Sequence, residues 1–268
     1  SYAAQQASGI ATWARDEEHI EKAFDFGGMP ARDGVAAATM VAAGFTGVAD
    51  AFSGAGNFFD AFAIEPDPEE MARELGERFE ILRANIKKWP VGSPIQAALD
   101  SLGALIAEHR LRADQVSEMT VRLPDAEAHV VDQRSMPDIN LQHLLAIMLL
   151  DGELTFASSH DMARMADPEV IGLRRRITLG PDRELGAELP RRQAIIEIAT
   201  REGRTLVHRT HAVRGTADNP MTRDEVGAKA LDLLAPVLGT QRAQSLIERV
   251  WNLESVGNLR ELRPLLEA

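Results

Sequence analysis

Four lysines stand against 25 arginines in this chain of 268 residues: Lys22, Lys87, Lys88 and Lys229. Arginine stays protonated in any protein environment, whereas a partly buried lysine can release its proton and serve as an acid or a base. A lysine kept in an arginine-dominated chain is therefore a candidate for chemistry that arginine cannot perform. Histidine is the other candidate proton carrier. Of the seven histidines, His143 lies in a strongly apolar stretch, and His208 and His211 fall three apart in a strand pattern, on opposite faces. No glycine-rich phosphate loop, nucleophile elbow or His-Glu-x-x-His helix occurs. With no cysteine, disulfides, thiolate nucleophiles and cysteine-held zinc or iron–sulfur clusters are excluded.

The elements that must carry these residues change character along the chain. Residues 3–14 and 31–43 have helical spacing, and between them runs Phe24-Asp25-Phe26-Gly27-Gly28-Met29-Pro30. The two glycines suit a turn there, and Pro30 suits the first turn of the next helix. Pro66 and Pro68 open a short helix that Gly76 closes. Beyond residue 78 the pattern becomes mixed. Residues 79–86, 116–123 and 173–179 read as strands, and 194–200 with 205–213 as a hairpin around Glu202-Gly203. Residues 93–109 read as an amphipathic helix capped by Ser93, and 140–150 as an apolar one. Thr222-Arg-Asp-Glu225 is a capping box before a helix over 226–234, and another covers 243–251. This order, helices then mixed elements then helices, is that of an α+β fold. It predicts a helical domain over 1–77 and 220–268, interrupted by a smaller, lid-like α+β domain over 78–219.

The net charge of −12 opposes binding to nucleic acid, which needs clustered cations. The longest uncharged stretch, residues 34–49, is too short and too rich in small residues to span a bilayer. With no basic-then-apolar start, the expected location is the cytoplasm.

The segment from Glu18 to Gly34, with Glu21-Lys22-Ala23-Phe24-Asp25-Phe26-Gly27-Gly28-Met29-Pro30 at its centre, resembles the signature of the MmgE/PrpD family of 2-methylcitrate dehydratases and cis-aconitate decarboxylases. The resemblance continues through Ala42-Ala43-Gly44-Phe45-Thr46-Gly47-Val48, Lys87-Lys88-Trp89-Pro90, Asn140-Leu141-Gln142-His143-Leu144-Leu145-Ala146 and Leu149-Leu150-Asp151-Gly152. It implies a two-domain enzyme, working without metal or cofactor and typically as a homodimer, on a small di- or tricarboxylate. The reactions implied are dehydration, decarboxylation or epimerisation, and all begin with proton (or CO2) movement beside a carboxylate. Three positions match the family's active-site pattern. Lys22 and Lys87 are implied to bind carboxylates or stabilise developing charge, and His143, where relatives carry tyrosine, to transfer the proton. Asp25, Arg32 and Lys88 are implied as substrate-binding residues, with Arg32 also placed to pair with Asp25 or Asp33 and Lys88 to face solvent.

Relatives place a histidine just after the Lys-x-aromatic-Pro motif. Here that stretch is Val91-Gly92-Ser93-Pro94, so the reaction type does not carry over by name. The chain also starts inside the family's helical domain. That predicts a second polypeptide supplying the missing part of the site, or a longer parent chain of which this is a piece. Two other readings remain open: an epimerase or racemase on the same scaffold, and a non-catalytic partner subunit.

Overall fold

In a computed structural model of the chain, residues 20–267 are described, and they divide at Phe79/Glu80 into two compact units. The helix expected over 3–14 lies outside the described residues.

The first unit begins with a helical turn, Ile20–Ala23, that runs through a π-helical segment, Phe24–Gly28, into helix α1, Met29–Ala42. The expected Gly27-Gly28 turn is not formed. Gly28 is helical (φ −68°, ψ −46°), and the N–H of Met29 donates to Phe24 O, five residues back. The physical reason is Pro30: its ring crowds the carbonyl four residues earlier, and a π-helical turn relieves that clash without breaking the helix. Further on, Asn57 caps a short helix, α2 (Phe58–Phe62), in a reciprocal capping box with Asp60. Around it Phe52, Phe58, Phe59 and Phe62 form an aromatic cluster with centroids 5.1 to 5.9 Å apart. The Pro68 element is a single 3-10 turn capped by Asp67. None of residues 21–79 is buried.

The second unit holds the core. Its sheet has the order β2-β1-β3-β4, with β1 Val116–Pro124, β2 Ile177–Asp182, β3 Ala194–Thr200 and β4 Thr205–Thr210. The β1–β2 pair is parallel (Val121 opposite Leu179), while β1–β3 and β3–β4 are antiparallel (Val121 opposite Ile196, Ile196 opposite His208). A parallel pair needs a crossover, and residues 125–176 supply it. Four helices follow β1 in that crossover: α3 Asp125–Val131, α4 Leu141–Asp151, a single turn at Phe156–Ser159 and α5 Pro168–Arg174. Alternation buries Met119, Val121 and Leu123 of β1 and Ile196 and Ile198 of β3. Helix α6, Gln96–His109, which precedes β1, lies across β3 and β4 and buries Leu99, Leu102 and Leu105 in the same core. The chain ends with α7, Arg223–Leu238, and α8, Thr240–Trp251, packed on each other. By contacts these two belong to the second unit. The mixed sheet with segregated helices is an α+β architecture.

Three further expected elements differ. Residues 79–86 form no strand: Glu80–Arg83 is a 3-10 turn, and the four strands of the sheet all come from residues 116–210. Leu173 and Arg174 close α5, because Asp167-Pro168 caps and starts a helix there, so β2 begins only at Ile177. Ser93 is no cap; it starts a 3-10 turn preceding α6. The hairpin, the apolar helix capped by Asn140, and the Thr222–Glu225 capping box form as the residue pattern predicts.

Candidate active site

Residues 80–91 form a strap whose backbone has few partners of its own, so the surroundings fix it. The N–H of Ile86 donates to Gly215 O at 2.8 Å. The approach is so close that a Cβ on Gly215 would lie 1.8 Å from Ile86 O, and Gly215 sits at φ +97°. Only glycine meets both conditions. Three residues on, Gln96 clasps the strap from α6: its Oε1 accepts from Trp89 N (3.1 Å) and its Nε2 donates to Trp89 O (2.8 Å). Asp100, one turn further along α6, accepts from the Trp89 indole N–H (2.9 Å) and from Arg214 N (2.7 Å). Burial pushes the Asp100 carboxyl up from its ordinary range, against these donors. Lys229 of α7 donates to Lys87 O.

The strap, the 187–192 segment and the 212–218 turn enclose a cavity of about 780 Å3. Five cationic side chains line it, Arg83, Lys87, Arg191, Arg192 and Arg214, against two carboxylates, Glu188 and Asp218. In a chain of net charge −12 this local reversal of sign favours negative charge in the cavity. The cations are not equivalent. Arg192 is paired to Glu127 at 2.7 Å, and Arg214 to Glu225 and Asn219. Glu225 is held down to about 2, first by the Arg214 guanidinium and then by the backbone of its own cap, Thr222. Arg191 makes only loose contacts, 3.4 Å to Asp218 and 3.7 Å to Glu188. Arg83 has no ion-pair partner among the described residues. The Lys87 ammonium donates to Val91 O at 3.1 Å.

The sequence-level candidates fall in different places. Lys87 lines the cavity. Its neighbour Lys88 does not; its ammonium lies 4.4 Å from the centroid of the Trp89 ring, a cation–π contact. His143 sits in the first turn of α4, where its N–H donates to Asn140 Oδ1 at 2.9 Å. Its ring is fully buried, neither ring nitrogen has a hydrogen-bond partner, and it is not among the cavity residues. Burial pushes its pKa down to about 4, and the nearby Arg174 and Arg164 add to this against an opposing Asp161. Lys22, Asp25 and Arg32 belong to the first unit. Lys22 is exposed in the turn before the π-helical segment. Asp25 lies within that segment, and its Oδ1 is shielded from solvent without a hydrogen-bond partner. Arg32 pairs with Asp33 at 2.7 Å.

Sequence reasoning missed the arginines of the cavity wall, because in an arginine-rich chain no single arginine stands out. A usable signal lay in Arg191-Arg192 and Arg214-Gly215, cations set in short loops beside proline or glycine. Among the described residues, no three His, Asp or Glu side chains are grouped to hold a metal ion, and no helix is long and apolar enough to cross a membrane.

The second unit is therefore a mixed-sheet α+β domain with a cation-lined cavity. Residues 89–253, more than half of the chain, match the model of the MmgE/PrpD C-terminal domain, so the chain belongs to the MmgE/PrpD family, whose members are dehydratase- and lyase-type enzymes. No curated protein matches the chain.

Proposed function

We propose that this protein is a lyase, of the dehydratase or decarboxylase type, acting on a small di- or tricarboxylate such as 2-methylcitrate or aconitate. The observation that carries the reading is the cavity: five cationic side chains, Lys87 among them, gathered in an acidic chain. Loss of a proton or CO2 beside a carboxylate leaves negative charge that spreads onto the carboxylate oxygens. Fixed cations stabilise that charge more than they stabilise the substrate, which is the differential binding catalysis requires. Lys87 serves this role at the cavity, and the family resemblance assigns carboxylate chemistry to Lys22 as well. The family resemblance assigns proton transfer to His143, but its ring is fully buried and outside the cavity lining, so the reading of this cavity does not use it. No metal or cofactor takes part in this reading.

A second polypeptide is proposed to complete the site. Its support is the first unit, where Val35 and Val41 on α1 are 68% and 69% exposed and no described residue is buried. Apolar area left in water on that scale is costly for a lone chain. Native mass measurement tests this: a stable monomer of 29.3 kDa overturns it.

The test of function is turnover of 2-methylcitrate, aconitate and related acids by the native assembly, with Lys22→Met and Lys87→Met alongside. Both variants lose turnover and keep their fold; unchanged kinetics in both refutes the assignment. An epimerase would exchange the substrate's proton with solvent and leave the product mass unaltered. The absent histidine at 91–94 is what keeps that alternative in play. A non-catalytic subunit would bind the acids without turning them over.

A further inference from the structure

Three of the four lysines converge on one strap. Lys87 and Lys88 belong to it, and Lys229 reaches it from α7. Lys229 is half-buried, an unfavourable setting for an ammonium that only packs, since burial disfavours its charged form. A donor aimed at a backbone carbonyl gives that burial a purpose. Four residues earlier on the same face of α7, Glu225 grips the Arg214 guanidinium through both carboxylate oxygens. One helix face thus holds two of the cavity's cationic residues, Arg214 by its side chain and Lys87 by its main chain. On the strap itself, Ile86 and Trp89 are pinned by Gly215 and Gln96. Between these two pins, Lys229 supplies the side-chain contact to the Lys87 carbonyl.

We infer that Lys229 is a positioning residue, fixing the main chain of Lys87 so that its ammonium is set at the cavity wall. The inference rests on the reading of the cavity as a carboxylate site. It is separable from that reading, because the placement of Lys87 exists before any ligand arrives. Lys229 touches no substrate in this scheme; it acts through Lys87.

The scarcity of lysine makes the test direct. Protein labelled with 13C at the lysine Cε gives four lysine signals, assigned by single variants. Propane-1,2,3-tricarboxylate serves as the probe ligand. Lys229→Met shifts the Lys87 signal in the ligand-free protein and weakens probe binding about tenfold, the effect of losing one charge-assisted hydrogen bond. Lys229→Arg, which keeps a cationic donor of similar reach, recovers most of both. A Lys87 signal unmoved by Lys229→Met overturns the positioning role, as does an arginine variant no better than methionine. If wild type does not bind the tricarboxylate, the carboxylate reading fails, while the ligand-free Lys87 signal still decides the role of Lys229. Should Lys229→Met not fold, Lys229→Gln, too short to reach the carbonyl, is read the same way.

Discussion

The buried imidazole of His143 makes stability depend on acidity in a direction and size that can be worked out. In the unfolded chain its pKa is the ordinary value of 6.5, and in the folded protein it is about 4. Between those values the unfolded chain binds the proton and the folded protein does not, so stability rises with pH across that window. The neutral ring's full contribution is present above about pH 6.5 and drains away as pH falls towards about 4. A displacement of about 2.5 units corresponds to about 3 kcal/mol when complete, of which about 2 kcal/mol is already lost near pH 5. The ring is fully buried, so solvent does not screen this effect. Other carboxylates titrate in the same range, and the comparison that removes them is His143→Leu, which has similar bulk and no ionisable group. Urea unfolding of both proteins at several pH values reads the difference directly. The wild type loses about 2 kcal/mol more than the variant between neutral pH and about pH 5. Parallel stability profiles would refute the reasoning, as would an NMR titration placing His143 near its ordinary pKa.

Other expectations follow from the cavity and its supports. Gly215→Ala drives a Cβ into Ile86 O at a positive φ and costs about 2–4 kcal/mol; faster hydrogen exchange at the Ile86 amide locates the damage. Glu225→Gln frees Arg214. The wild-type Glu225 pKa of about 2 lies below its ordinary 4.5, so its contribution is complete above about 4.5 and lost as pH falls towards 2. The glutamine variant accordingly shows a shallower acid-unfolding profile over that range. Raising the salt concentration weakens tricarboxylate binding in wild type more than in Arg83→Gln, because the variant lacks one cation facing the ligand; equal salt slopes in isothermal titration calorimetry would show that Arg83 takes no part.

Where local physics decides, the chain is readable from its residues. The alternation of 116–123 and the two-residue periodicity either side of Glu202-Gly203 become β1 and the β3–β4 hairpin. The apolar run after Asn140 becomes a helix, and Thr222 caps the helix it precedes. Failures come where distant parts of the chain intervene. Residues 79–86 have strand-like apolar content, yet their backbone finds its partner in a turn 129 positions away, Gly215 bonding Ile86. Gly27-Gly28 looks like a break, but Pro30 is met by a wider helical turn instead. At the site, Lys87 was marked by its residue type, whereas Arg191, Arg192 and Arg214 join it only because the sheet and α6 bring their loops together.

The junction of Ile86 with Gly215 is made wholly of main chain. No side chain contributes to it, so the spacing of the two cavity walls there does not depend on which residues they display. Arg83 and Asn85, wall residues on the strap side of this seam, can therefore be exchanged without altering the main-chain bond that sets it. The side chains on the walls can change one at a time around this seam, while position 215 itself has no such freedom.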